Sequence, residues 1–232
     1  MVNINTVYQK VLALANKEKR GYITPQEFNL FANQAQLDIF EQYFYDLNQF
    51  SRMPGNDTEH ADMVDILEEK IGVFEKTSSP VAYNSNNDFY NLASISDLYR
   101  LGTVRVDNLT IEKVSKKQIR QYQSGPLTKP SSSRPVYILD RPQNIIQVFG
   151  FTPEEIILDY IKKPENPKWA YNVVQGKAIY NSTNSINFEL HPSEEVELVI
   201  KILELSGITL QDNSMYQVAS TEDAENIQQE KL

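Results

Sequence analysis

The sequence predicts an α+β protein: an antiparallel bundle of about four helices, an inserted antiparallel β module and an extended C-terminal tail. Apolar residues recur at helical spacing from Ile4 to Phe74, the period changes to two from Tyr99 onward, and helical spacing returns once, at 193–206. A lone amphipathic helix after a sheet must bury its stripe somewhere, and the open helical surface belongs to residues 4–76. The expected organisation is a discontinuous bundle of 1–77 and 191–207, a β module over 78–190, and a tail over 208–232.

The first helix is expected from Ile4 to about Lys19, with Ile4, Val7, Val11, Leu12 and Ala15 on one face and Gly21 ending it. The second opens on a complete start signal. Thr24 and Glu27 form a T-x-x-E capping box, Pro25 takes the first helical position, and Ile23 can staple onto Phe28. It runs to about Phe50, with Phe28, Ala32, Ala35, Ile39, Tyr43, Leu47 and Phe50 on one face. Leu37, Phe40 and Phe44 form a second face, which leaves room for a subunit interface. Ser51–Asp57, containing Met53-Pro54-Gly55, is a turn. A third helix then continues to about Glu75 on Met63, Leu67, Ile71 and Phe74.

Ser78–Asp88 reads as a polar, Asn/Ser-rich connection. Tyr99–Val106 and Leu109–Val114 read as a hairpin around Asp107-Asn108. The inward parity shifts between Leu101 and Val104, which predicts a bulge near Gly102. Ser115 and Gln118 cap a short helix through Gln123, packed by Ile119 and Tyr122. After a Pro/Ser-rich loop over Gly125–Pro135, strands are expected at Val136–Leu139, Ile145–Phe149 and Ile156–Ile161. Val173–Val174 pairs with Ala178–Tyr180 around Gln175-Gly176, and Ile186–Leu190 is the last strand.

Pro164 and Pro167 stop the strand at 156–161, and the only tryptophan, Trp169, follows the break. Trp169 and Tyr171 either fold back over the sheet or anchor a contact with another subunit. His191 stands at the capping position before Pro192, and Gly207 occupies the place of a C′ glycine. Between them Val196, Val199, Ile200 and Leu203 form one stripe and Leu198, Ile202 and Leu205 another, so this helix is wedged between partners.

Composition narrows the chemistry. The chain has no cysteine, which removes disulfides, thiol catalysis and cysteine-ligated zinc. Its eight glycines fall well below the average of about 7%, and no phosphate-cradling glycine loop is visible. No run reaches the ~18 apolar residues that span a bilayer, and the N-terminal V-L-A-L-A reads as a helix face rather than a signal peptide. A net charge of −9 disfavours specific nucleic-acid binding, since phosphate neutralisation supplies most of that affinity. The densest basic cluster, Lys113, Lys116, Lys117 and Arg120, reads as a solvated helix face.

His60 lies near Asp57, Glu59 and Asp62, but one imidazole with flexible carboxylates makes a poor metal site. No G-x-S-x-G elbow appears, and Glu68-Glu69, Glu154-Glu155 and Glu194-Glu195 read as solvated pairs. No catalytic, cofactor-binding or metal-binding residue is assigned, and no cofactor is expected.

Longer stretches carry a family likeness. These are the strand-Pro-x-x-Pro-x-Trp-x-Tyr run through Tyr171, the F-E-L-H-P-S-E-E segment at 188–195, the stretch from Lys10 to Asn48, and L-Y-R-L-G-T-V-R-V at 98–106. Together they resemble the head-to-tail connector (adaptor or ring) proteins of short-tailed bacteriophages, those of crAss-like phages and their marine relatives above all. The resemblance implies a virion structural protein made in the host cytoplasm and placed at the portal vertex. It implies a ring of about twelve copies, a dodecamer closed by a heterologous interface around a rotation axis. The implied partners are other copies, the portal protein and downstream tail ring or hub proteins. Genomic DNA passes through the channel without sequence-specific binding, and no membrane is involved. Extended C-terminal segments of such adaptors embrace the portal, so residues 208–220 are expected to dock onto the portal or a neighbouring subunit through Ile208, Leu210, Met215 and Tyr216, with Trp169 and Tyr171 as further interface candidates. Another tail or baseplate ring component fits the same pattern. The competing class is a carbohydrate-binding or hydrolytic β module on a helical stem, which would run as a small particle where a ring runs as a large one.

Overall fold

Seven strands close into a barrel, and this overturns the expected helical bundle with an inserted antiparallel module. The computed structural model describes residues 1–17, 23–50, 58–107 and 109–209. They fall into two units: Met1–Val73 with the chain from Pro164 onward, and Phe74–Lys163.

The second unit holds β1 (Glu75–Thr77), β2 (Val81–Asn84), β3 (Phe89–Asn91), β4 (Leu98–Val106), β5 (Leu109–Lys113), β6 (Val136–Asp140), β7 (Ile145–Phe149) and β8 (Glu155–Lys162). The order around the barrel is β8-β2-β3-β7-β6-β5-β4, and β4 pairs back onto β8, with β1 alongside β8. Closure leaves the ring of strands without an unpaired edge. It depends on β4, the longest strand, whose pairing with β8 slips between Leu98 and Arg100 and again between Leu101 and Val104. Gly102 lies in the second slip. A Cβ there would stand 2.9 Å from the Asp159 carbonyl oxygen, so glycine lets β8 approach. The sheet is not wholly antiparallel either. β5 and β6 run parallel, and a parallel step needs a crossover, here α4 (Lys116–Ser124) and the loop after it.

The sequence reads Ser78–Asp88 as a connection, whereas β2 and most of the turn into β3 occupy it. These strands, of four and three residues, are too short to show a period, and their pairing with β8 and β7 defines them. The turn between them places Asp88 at φ 62, a left-handed conformation that aspartate tolerates. Inside the barrel, Tyr90, Val104, Ile146, Ile156 and Leu158 are fully buried. Burial pushes the Tyr90 phenol up to about 12, and its hydroxyl donates to the Pro153 carbonyl oxygen.

The first unit contains α1 (Ile4–Lys17), α2 (Pro25–Phe50), α3 (Thr58–Gly72), α5 (Glu195–Thr209) and a hairpin of β9 (Tyr171–Val174) and β10 (Lys177–Tyr180). Helix α2 packs on α3 and α5, and α1 packs on α5. The Thr24–Glu27 box forms as the sequence predicts: the Glu27 carboxylate accepts from the Thr24 amide at 2.9 Å, and the Thr24 hydroxyl accepts from the Glu27 amide at 3.3 Å. Extended chain fills the rest of this core, which a bundle would fill with helix. Phe188 and Leu190 are fully buried, and Val2 bridges to Phe188.

Two amides on α2 hold that extended chain. Gln36, 1% exposed, donates to the Glu165 carbonyl oxygen at 2.8 Å and accepts from the Glu189 amide at 3.1 Å. Asn29 accepts from the Trp169 amide at 2.7 Å and donates to its carbonyl oxygen at 3.2 Å. Segment 164–190, assigned by sequence to the β module, thus lies in the helical unit. The expected strand Ile186–Leu190 reduces to bridges at Ile186 and Phe188. Phe40 and Phe44, the proposed spare face of α2, are buried against each other at 5.1 Å between ring centroids. Helix α3 stops at Gly72, and α5 continues through Gly207 to Thr209, so Gly207 is a helical residue and not a C′ cap. Gly21, the Met53-Pro54-Gly55 turn and Asn108 lie outside the described residues.

Candidate functional site

The outer face of the barrel carries a groove beneath α4. The strands β6 and β7 alternate strictly: Tyr137, Ile146 and Val148 point into the barrel core, while Val136, Ile138, Ile145, Gln147 and Phe149 face outward. Helix α4 covers part of that outer face through Ile119, which is 5% exposed. Its start is fixed locally. The Ser115 hydroxyl accepts from the Gln118 amide at 3.2 Å, and the Gln118 side chain accepts from the Ser115 amide at 2.9 Å, as the S-x-x-Q spacing predicts.

Between α4 and the strands lies a groove of about 280 Å³, floored by Ile119, Ile138, Ile145 and Phe149 and rimmed by Lys116, Arg120, Gln123, Asp140 and Gln147. This is just below the ~300–1,000 Å³ typical of small-molecule sites, and it suits one or two side chains. Lys116 pairs with Asp140 at 2.8 Å. Arg120 has no ion-pair partner among the described residues. The basic cluster read as a solvated face is exposed, but two of its members also border an apolar floor. Sequence spacing could place Lys116 and Arg120 on one helical face. It could not show that the crossover sets that face over β6 and β7.

The second surface is the β9–β10 hairpin of the helical unit. Gln175 at φ 49 and Gly176 at φ 76 form its two-residue turn, as the Q-G pair predicts. Trp169 anchors it. The indole is 3% exposed, stacks on Tyr171 and Tyr180 with centroids 5.7 and 5.6 Å away, and lies 4.4 Å from the Tyr8 ring. Its Nε1 donates to Asn5 at 3.0 Å. Trp169 thus stands in the core against α1 and α2, and Tyr171 is half-buried beside it. Beyond that anchor the hairpin projects Val173, Val174 and Ile179, each more than half exposed. A two-stranded hairpin with apolar side chains in solvent is a surface suited to a partner.

The His191 ring accepts from the Ser193 amide, the capping role read from sequence. It precedes a short 3-10 turn, Pro192–Glu194, and not the α-helix directly. Glu194, read as solvated, is 2% exposed and pairs with Lys70 at 2.8 Å. Nothing in local sequence marks it, because its partner lies on α3. Ile208 continues the backbone of α5, while Leu210, Met215 and Tyr216, together with the side chain of His60, lie outside the described residues. Among the described residues no group of three or more His, Cys, Asp or Glu side chains could hold a metal ion, and no helix is long and apolar enough to cross a membrane. No protein-family model matches this chain, and no curated protein matches it significantly.

Proposed function

We propose that this chain is a structural protein of a phage virion, a ring-forming adaptor between portal and tail. In this role it docks on the portal, offers a platform for tail assembly and extends the DNA channel. The reading begins from the family resemblance of its sequence, and the observation that supports it most is a pair of unlike surfaces. One unit offers an exposed apolar hairpin at Val173, Val174 and Ile179, and the other a groove with a charged rim of Lys116, Arg120 and Asp140. A ring needs a heterologous interface, with two different surfaces on every copy.

The barrel interior is packed with side chains, as small barrels are, which favours a scaffold over a ligand carrier. The net charge of −9 suits a conduit, since each phosphate contact would hold DNA back. Imaging of purified virions with this chain located in the map tests the proposal. A ring of copies at the portal vertex is expected. Its location elsewhere in the particle, or its absence from virions, overturns the reading.

A further inference from the structure

We infer that the groove beneath α4 receives segment 210–232 of a neighbouring copy, so that subunits are joined by a charge-matched clasp. The inference rests on the ring reading above and adds the contact that would close the ring. The groove combines an apolar floor of Ile138, Ile145 and Phe149 with a rim that holds Lys116 and Arg120; Asp140 pairs with Lys116 at 2.8 Å, so Arg120 supplies the rim's net positive charge. Lys113 and Lys117 add positive charge on the same short stretch, the densest basic cluster in an otherwise acidic chain.

Segment 210–232 is the complement. It holds five carboxylates (Asp212, Glu222, Asp223, Glu225 and Glu230) against one lysine, Lys231. Within its acidic run stands one large apolar side chain, Ile227, two residues after Glu225 and three before Glu230. Extended chain rises about 3.3 Å per residue, so Ile227 on the floor leaves both carboxylates within about 10 Å. That distance matches the reach of long cationic side chains one helical turn apart on α4. The apolar floor favours a peptide over a nucleic-acid backbone, which offers phosphates but nothing to bury there.

The test uses two populations of the full chain, mixed under oxidising conditions. One carries only Gln123→Cys, on the groove rim, and the other only Gln228→Cys, beside Ile227. The chain has no cysteine of its own, so a mixed disulfide reports this contact alone. Expected is a yield roughly tenfold or more above a control in which the first population carries Ser96→Cys instead. Adding Lys117→Glu and Arg120→Glu to the first population should bring the yield to the control level. Adding Glu225→Lys and Glu230→Lys to the second should restore it, which also shows that the reversed groove is folded. A yield at control level, or one indifferent to charge reversal, overturns the inference whether or not rings form. Rings without the disulfide leave the ring reading standing, and the disulfide without rings supports the clasp alone. Protection of Q123C from alkylation by duplex DNA, with no mixed disulfide, also overturns it and makes the groove a phosphate-contacting face.

Discussion

Glu194 and Lys70 form a buried ion pair whose two ends lie far apart in sequence. Burial alone would raise the Glu194 pKa. Hydrogen bonds with Glu197, Lys70 and Ser193, together with the lysine charge, outweigh it and hold the carboxyl below its ordinary value. A carboxyl whose pKa is lower in the folded chain than in the unfolded one stabilises the fold fully above the unfolded value. That contribution is lost as pH falls through the folded value. Denaturant midpoints measured across the acid range should fall less steeply for Glu194→Gln than for the native chain. Lys70→Met leaves the buried carboxylate unpaired and should cost about 3–5 kcal/mol in urea unfolding at neutral pH. Gly102 sets a different limit. A methyl group there meets the Asp159 carbonyl oxygen at 2.9 Å, and backbone on the facing strand cannot swing away as a side chain could. Gly102→Ala should therefore cost about 1–3 kcal/mol in the same measurement.

Among the elements, α4 most directly links local sequence to the groove. It has nine residues, too short to be stable alone, so it depends on its capping box and on Ile119 packed against the barrel. Ser115→Ala removes the acceptor for the Gln118 amide and should lower stability by about 0.5–2 kcal/mol. Amide exchange of α4 should rise more than exchange of β6 and β7, since the strands keep their own ladder. Equal acceleration in strands and helix would mean that the box supports the whole barrel and not only α4. The hairpin β9–β10 depends instead on contacts remote in sequence. Tyr171 and Tyr180 pair across it and both stack on Trp169, which Asn29 holds by its backbone.

At the scale of the molecule, assembly and folding should separate. Val173 and Ile179 are 67% and 52% exposed, so replacing both with lysine removes little that the isolated chain buries. The thermal midpoint of V173K/I179K should stay close to native, as surface substitutions usually change stability by about 0.5 kcal/mol or less each. If the proposed ring forms on the portal through the hairpin, the particle mass of this variant in the presence of portal rings should drop to that of the unassembled chain. Retained assembly would move the subunit contact off the hairpin.

What the sequence determined by itself was local. The two capping boxes, the Q-G turn and the His191 cap each depend on residues within a few positions, and each is present in the structure; the bulge at Gly102 is present too, but it lies in the pairing of β4 with the distant β8. The barrel was not legible, because β2 and β3 are strands only by virtue of β8 and β7, and because closure joins β4 to β8 across more than fifty residues. The same holds for the groove. Helical spacing put Lys116 and Arg120 on one face, but only the parallel crossover from β5 to β6 decided that the face overlies Ile138, Ile145 and Phe149. Burial of Glu194 and of Gln36 was likewise decided in three dimensions. Period and capping report which side of an element is apolar, whereas the partner that satisfies a polar group comes from another part of the chain.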